Sequence, residues 1–195
     1  TIELETLLRT MSYEIRKDFA PITLATTSPD VLVVYPSLPV NSVKELMAYA
    51  KARPGTLNYA SGGVGTTPHL AGALFMFMAG VNAIHVPYKG SAPGMGALVG
   101  GHVQLAFSDV GAGLPHVRSG RLRALAVTSP VPSPLLPDLP TVAASLPGYE
   151  FSLRIGTFAP ARTPPAIISQ LNQETVRILK TADVKERLFN AGMEA

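Results

Sequence analysis

The segment Tyr59–His69 (YASGGVGTTPH) concentrates the residue types that could bind an anion. Its glycines let the backbone turn N–H groups inward, where a side-chain Cβ would clash. Thr67 can cap the helix that follows, and Pro68 then occupies the first helical position, where a missing N–H costs nothing. The loop N–H groups and the helix dipole together predict an anion site. The residues of this predicted site are Ser61, Gly62, Gly63, Val64, Gly65, Thr66 and Thr67.

A carboxylate is the expected anion, although phosphate stays open. No Gly-Lys-Ser/Thr follows the loop, so it is not a P-loop. Gly62, Gly63 and Gly65 also miss the G-x-G-x-x-G spacing of dinucleotide-binding proteins. On spacing alone, a tight strand-to-helix turn without a ligand explains the glycines equally well.

The reactive residue types are scarce. The sequence has no cysteine, which excludes a disulfide framework, a thiolate nucleophile and a cysteine zinc site. Its four histidines lack H-E-x-x-H spacing, and no serine elbow or carboxylate pair accompanies the loop. We therefore expect no metal, no cofactor and no catalytic residue. An enzyme that uses the loop as an anion cradle and His69 as its base is the alternative, but an apolar helix favours a structural role for His69.

Composition and charge limit the class of protein further. With 47% hydrophobic and 15% charged residues, the chain is not intrinsically disordered. Between Lys51 and Pro137 six basic residues face one acidic residue, and this excess would attract an anion. The charges are too sparse, and too free of interleaved aromatics, for nucleic acid. The longest apolar stretch, Leu70–Val81, is shorter than the roughly 20 residues that span a bilayer, so we expect no membrane insertion.

Short apolar strands alternate with helical stretches along the chain, which predicts a layered α/β domain with a mostly parallel sheet. Ser42 and Glu45 form a capping box that predicts a helix start. A break is expected at Ser28–Asp30, and the apolar helix His69–Ala79 should be buried or face a partner. The predicted strands are Ile22–Thr26, Val31–Tyr35, Thr56–Ala60, His85–Tyr88, Val103–Ser108 and Arg123–Thr128, and the later helices are Ala92–Val99, Gly111–Arg118 and Pro164–Lys180.

A series of short motifs resembles the solute-binding (Bug/TctC-type) proteins of tripartite tricarboxylate transporters. The motifs occur in the family's order and cover nearly the whole chain. They are Asp18–Thr23 (DFAPIT), Val40–Leu46 (VNSVKEL), Leu57–Gly63 (LNYASGG), Gly65–Leu70, His85–Gly90 (HVPYKG), Leu114–Gly120 (LPHVRSG), Leu122–Thr128 (LRALAVT), Leu139–Val142 (LPTV) and Phe158–Pro160 (FAP).

The resemblance implies a periplasmic-binding-protein-like α/β fold of the type II, Venus-flytrap kind. Residues 32–152 would form one complete ligand-binding lobe, and residues 1–31 and 153–195 would form part of a second lobe. A small carboxylate would bind in the cleft between the lobes. The family also begins with a strand and a glycine-rich loop and ends with a further helix, so the resemblance implies a chain truncated at both ends, without its signal peptide.

The resemblance also extends the list of candidate ligand-binding residues. Asp109 lies where the family points polar groups into the cleft, although a helix-capping role is at least as good an interpretation. Arg154 stands where the family often has an aromatic residue, and we hypothesise that it pairs with the ligand carboxylate in a bidentate manner. An ordinary exposed arginine is the alternative.

Three functions stay open at this stage. The favoured one is a non-catalytic, periplasmic carboxylate-binding protein that delivers its ligand to the membrane subunits of a transporter. The enzyme described above is the second. The third is a ligand-sensing or interaction module of the same fold without transport.

Overall fold

A computed structural model describes residues 10–195. The described chain forms two compact units: a larger one of residues Pro29–Ser152, and a smaller one that combines residues 10–28 with Leu153–Ala195. The larger unit begins three residues before the lobe boundary expected at Leu32. Residues 1–9 of the expected second lobe lie outside the described residues. The assignment of the larger unit as a complete ligand-binding lobe stays a prediction.

The helices and strands follow the predicted alternation. The strands are β1 (Phe19–Val34), β2 (Leu57–Ser61), β3 (Ala83–Pro87), β4 (Leu105–Asp109), β5 (Arg123–Val127) and β6 (Ser152–Pro160). The α-helices are α1 (Ile15–Asp18), α2 (Val43–Ala52), α3 (Thr67–Ala79), α4 (Ser91–Val99), α5 (Val110–Arg118), α6 (Pro165–Leu179) and α7 (Ala182–Asn190), with a short 3₁₀ helix at Val142–Ala144.

The sheet of the larger unit has the strand order β3-β2-β4-β1-β5. Strand β2 is parallel to β3 and β4, as the prediction of a mostly parallel sheet requires. Strand β1 is the exception, because it runs antiparallel to both β4 and β5. The apolar run Val31–Val34 is buried on both faces of the sheet, so its composition does not reveal the strand's direction.

The break expected at Ser28–Asp30 is wrong. Strand β1 runs through this segment without interruption for 16 residues. Proline fixes φ at a value compatible with an extended strand, so Pro29 does not by itself end one. The pairing of β1 changes around this point: β6 pairs with β1, and from Asp30 onward β1 pairs with β4.

Two apolar cores cover the two faces of the larger unit's sheet. Alternation along β1 sends Leu32 into one core, with Phe75 and Phe107, and sends Val33 into the other, with Leu98. Full burial of one such side chain contributes about 1.5–3 kcal/mol to folding. The N-cap half of the capping box predicted for α2 is confirmed, since the Ser42 hydroxyl accepts the Glu45 N–H at 3.2 Å. The Glu45 carboxylate accepts the Asn41 N–H at 2.7 Å in place of the Ser42 N–H.

The side chains of the smaller unit are less buried than those of the larger unit. Strand β6 of the smaller unit pairs with β1, and the Ala161 N–H donates to the Asp18 carbonyl. Helix α6 is amphipathic as predicted, but neither α6 nor α7 has a buried residue, and Ile167 and Leu171 are exposed. Among the described residues, no helix has both the length and the apolar character needed to cross a membrane.

Candidate functional site

The glycine-rich loop joins β2 to α3, as predicted, but the helix begins differently. The N-cap is Thr66 and not Thr67, and Pro68 is the second helical residue. The Thr66 hydroxyl donates to the Gly63 carbonyl at 2.7 Å and therefore does not cap the helix. The first N–H groups of α3 consequently receive no side-chain cap.

Two of the loop's glycine N–H groups are used within the molecule. The Gly63 N–H donates to the Ser61 hydroxyl at 3.1 Å, and the Gly65 N–H donates to Nδ1 of His69 at 3.2 Å. Gly63 and Gly65 have φ values of 134° and 82°, a region in which side chains are strained. The expectation that these two N–H groups point to an anion therefore needs correction, because both already have acceptors.

A second loop, between β3 and α4, packs directly on the glycine-rich loop. The Gly90 N–H donates to the Gly62 carbonyl at 3.0 Å, and the Tyr88 N–H donates to the Ser61 carbonyl at 2.9 Å. A Cβ added to Gly62 would lie 3.0 Å from the Ser91 backbone nitrogen, so the two loops approach as closely as glycine allows. Helix α4 begins at Ser91, and no side chain caps its N-terminus.

A pocket lies where these two loops meet the ends of β2 and β4. Its empty volume is about 260 Å³, including space open to solvent. The first turns of α3 and α4 and the end of β4 form its walls, so the N-termini of two helices border one space. The residues that line it are Ala60, Ser61, Gly62, Pro68, Ser91, Gly94, Met95, Ala106, Phe107, Ser108 and Asp109.

The structure brings together three of the predicted site residues. Ser61, Gly62 and Asp109 line the pocket. The other loop residues are next to it in the chain but are not among its lining residues, and the Val64 side chain is 74% exposed. Arg154 is exposed on β6 in the smaller unit, and its role stays a prediction. Asp109 occupies the N-cap position of α5, but its side chain makes no capping hydrogen bond.

Sequence reasoning missed the part of the pocket that comes from α4 and β4. Ser91, Gly94 and Ser108 lie in its wall, whereas the sequence predicts only the glycine-rich loop and Asp109 for this region. The available signal was the parallel arrangement of β2 and β4, which brings their carboxyl ends, and the helix N-termini that follow, to one edge of the sheet. The motif His85–Gly90, noted only for its resemblance, provides the contacting loop.

A buried carboxyl group, Asp30, pairs in register with Asp109 across β1 and β4. Asp30 is 1% exposed, and its Oδ2 has no hydrogen-bond partner within the described part of the chain. The Thr128 hydroxyl accepts the Asp30 N–H and donates to its carbonyl, which fixes the backbone here. Burial, and secondarily the charge of Asp109, raise the pKa of Asp30 to about 7.

This carboxyl group predicts a pH-dependent stability. Its pKa rises from 3.8 when unfolded to about 7 when folded, so its contribution is full below pH 3.8 and is lost as the pH rises through 7. We expect Asp30→Asn to gain stability relative to wild type between pH 5 and pH 8 by about 2–3 kcal/mol, because about two pKa units separate pH 5 from the folded pKa of about 7. Urea unfolding of both proteins at the two pH values measures this. An equal difference at both would contradict it.

Three rings pack behind the glycine-rich loop. The centroids of His69 and His85 are 4.2 Å apart, and Tyr59 stacks on His85 at 4.8 Å. Nε2 of His85 lies 2.6 Å from the hydroxyl of Ser61. Desolvation lowers the pKa of both imidazoles, and the charge of His69 lowers that of His85 further.

Comparison with known proteins places the chain in a family. The sequence model for the "Tripartite tricarboxylate transporter family receptor" (TctC) matches residues 3–195. A UPF0065 protein from the tcbD-tcbE intergenic region of Pseudomonas sp. (strain P51) is 40% identical over 184 residues, which are 93% of this chain and 55% of that protein. The chain thus spans little more than half the length of this relative.

Two solved structures with bound carboxylates are also similar. Rpa4515 of R. palustris with adipate has a TM-score of 0.83 and 40% identity, over 95% of this chain and 62% of its own. MatC (Rpa3494) from Rhodopseudomonas palustris with bound malate has a TM-score of 0.80 and 30% identity, over 96% and 64%. The predicted α/β periplasmic-binding-protein fold class is confirmed. The chain therefore belongs to the TctC family of tripartite tricarboxylate transporter receptors, as its motifs indicated.

Proposed function

We propose that this chain is the carboxylate-binding part of a periplasmic solute-binding protein. The observation that carries the proposal is the pocket at which the N-termini of α3 and α4 meet, neither of them capped by a side chain. The first N–H groups of α4 lack intrahelical acceptors, and Ser91 at its start lines the pocket. Helix α3 lines the pocket through Pro68, which has no N–H, so α3 contributes the positive end of its dipole. A small carboxylate supplies the acceptors and the negative charge that such a space favours.

The chemistry of the wall supports a carboxylate over a purely apolar ligand. Ser91, which bears a hydroxyl group, lines the pocket beside the backbone of Gly62. Ser108 lines it as well, but its hydroxyl donates to the Asp109 carbonyl at 3.1 Å. Asp109 in the same wall would repel a carboxylate placed against it, so we propose that Asp109 accepts a hydrogen bond from another group of the ligand. We propose Arg154 as a further carboxylate partner.

Transport is the wider proposal. The family relationship and the adipate and malate found in Rpa4515 and MatC support a small carboxylate as ligand, and membrane subunits of a tripartite transporter as recipients. Because the chain spans only part of its relatives, these activities are proposed for the whole protein. We also propose a periplasmic location and a non-catalytic role.

The enzyme alternative finds less support in the geometry. The proposed base His69 uses Nδ1 to accept the Gly65 N–H. The contact between Ser61 and His85 resembles a nucleophile and its base, but Ser61 is only 3% exposed and its hydroxyl already accepts the Gly63 N–H. A buried serine engaged in this way is suited to holding the loop.

A thermal-shift screen tests the proposal. The chain would be melted with malate, adipate and other mono-, di- and tricarboxylates, and with the neutral diamide of each diacid as a matched control. A ligand at 100 times its dissociation constant adds about 2.7 kcal/mol to stability, which a melting curve detects. We expect stabilisation by at least one acid and none by its diamide. Equal shifts with acid and diamide, or a cooperative melt that no acid moves, would contradict carboxylate binding by this chain.

A further inference from the structure

His69 and His85 lie directly behind the glycine-rich loop, and their rings are fixed by their neighbours. His69 belongs to α3 and His85 to β3, and Tyr59 of β2 stacks on His85. The position of Tyr59 depends on Gly72 of α3, where an added Cβ would lie 2.5 Å from the tyrosine ring. Three secondary-structure elements therefore hold the two imidazoles in contact.

The contact between His69 and the loop requires a neutral imidazole. The Gly65 N–H donates to Nδ1 of His69, so this nitrogen must carry a lone pair. The single N–H proton of the neutral His69 ring is then on Nε2. Gly65 has a φ of 82°, in the region that favours glycine. The hydrogen bond thus stabilises the loop at a residue whose backbone few other residue types could adopt.

The contact between His85 and the loop passes through a hydroxyl group. Nε2 of His85 lies 2.6 Å from Oγ of Ser61, and the same Oγ accepts the Gly63 N–H. Ser61 is buried at the end of β2 and also lines the pocket. His85 therefore fixes the side chain that orients Gly63, whereas His69 fixes Gly65.

The surroundings of the two histidines favour their neutral forms. Desolvation lowers the pKa of both rings, and a charge on His69 would lower that of His85 further. The titratable groups packed against the pair are the two imidazoles themselves and Tyr59, whose pKa is raised by burial. Near neutral pH the pair is therefore in the state that the Gly65 hydrogen bond needs.

We propose that His69 and His85 are positioning residues for ligand binding: together they hold the loop Ser61–Thr67 in the conformation that leaves the N-terminus of α3 open to the pocket. The effect that we expect on ligand affinity rests on the proposed carboxylate-binding function. It goes beyond that function by assigning the role to a pair of neutral imidazoles outside the pocket wall.

A first experiment tests the positioning without any ligand. The amide of Gly65 and the ring nitrogens of His69 would be followed by NMR through a pH titration. We expect both to titrate together in the wild type, below the usual histidine pKa of about 6.5. In His69→Asn, whose side-chain oxygen can accept in place of Nδ1, the Gly65 amide should not titrate. In His69→Leu the exchange of the Gly65 amide hydrogen with solvent should accelerate about tenfold or more, because its acceptor is lost.

A second experiment measures the effect on ligand affinity, with malate as the probe. Near neutral pH we expect His69→Leu and His85→Phe to bind malate about tenfold less tightly, His69→Asn to stay within about threefold of wild type, and the exposed control His102→Leu to be unchanged. On acidification the ratio of wild-type to His69→Asn affinity should fall. The ratio cancels the titration of malate itself.

Two results would overturn the inference. An unchanged exchange rate of the Gly65 amide in His69→Leu would show that His69 does not hold the loop. A wild-type to His69→Asn ratio that rises on acidification would show that His69 acts as a positive charge for the ligand and not as a positioning group. Should malate bind neither the wild type nor any variant, the proposed function fails, and the Gly65 amide alone still decides the positioning role.

Discussion

We expect Gly62→Ala to weaken malate binding by about tenfold or more, equivalent to about 1.4 kcal/mol. The added Cβ would lie 3.0 Å from the Ser91 nitrogen and 3.1 Å from the Gly90 carbonyl carbon. Both are backbone atoms, so the two loops must separate to make room. Separation moves the N-terminus of α4 away from the pocket that Gly62 lines. Isothermal titration calorimetry measures the change.

The control for this substitution is Gly96→Ala in helix α4. An added Cβ at Gly96 meets no atom within 4 Å, and the residue lies inside α4. Alanine in a helix interior is favoured over glycine by about 0.5–1 kcal/mol, so this variant should be slightly more stable and bind malate as the wild type does. Wild-type affinity in Gly62→Ala would show that the close approach of the two loops does not matter for binding.

The largest loss of stability is expected for Phe75→Ala, at about 3–5 kcal/mol. Phe75 is 1% exposed, and its ring centroid lies 5.7 Å from that of Phe107 and 6.2 Å from that of Tyr149. Removing the ring therefore leaves a cavity in the core that supports β2 and β4. Urea unfolding monitored by circular dichroism measures the loss.

Phe77→Ala provides a matched control, because Phe77 lies two residues further along α3 and is 85% exposed. Its removal should change the free energy of unfolding by no more than about 0.5 kcal/mol. The pair also tests the observed orientation of the helix. Equal losses in the two variants would contradict the burial of Phe75 and the exposure of Phe77.

The behaviour of α3 shows where sequence reasoning reaches its limit. The run of apolar residues predicted a helix, which is confirmed, but it also predicted burial or a partner on every side. Composition contains no periodic signal when both faces are apolar, so it could not identify Phe77 as the exposed side chain. Only the packing of the helix on the sheet determines that face.

The candidate site likewise has features that local sequence patterns predict and features that they do not. Glycine spacing located the loop, and the strand alternation located the sheet edge at which it lies. The Gly65 to His69 hydrogen bond joins residues four apart, but glycine spacing does not specify the loop geometry that makes it. Long-range contacts could not be predicted either: the packing of the loop against Gly90, and the register of Asp30 with Asp109. These contacts depend on how strands distant in sequence come together, which local patterns do not specify. For the same reason the sequence predicts a break at Ser28–Asp30, although Asp30 lies in β1.

The central claim is that a carboxylate binds where the N-termini of α3 and α4 meet. Chemical-shift mapping by NMR tests it most directly, since it detects even weak binding and reports its location. We predict that malate shifts the amides of Gly62, Thr67, Ser91 and Asp109, and that the neutral diamide of malate does not. Shifts confined to amides elsewhere in the chain, or identical shifts with the diamide, would contradict the account.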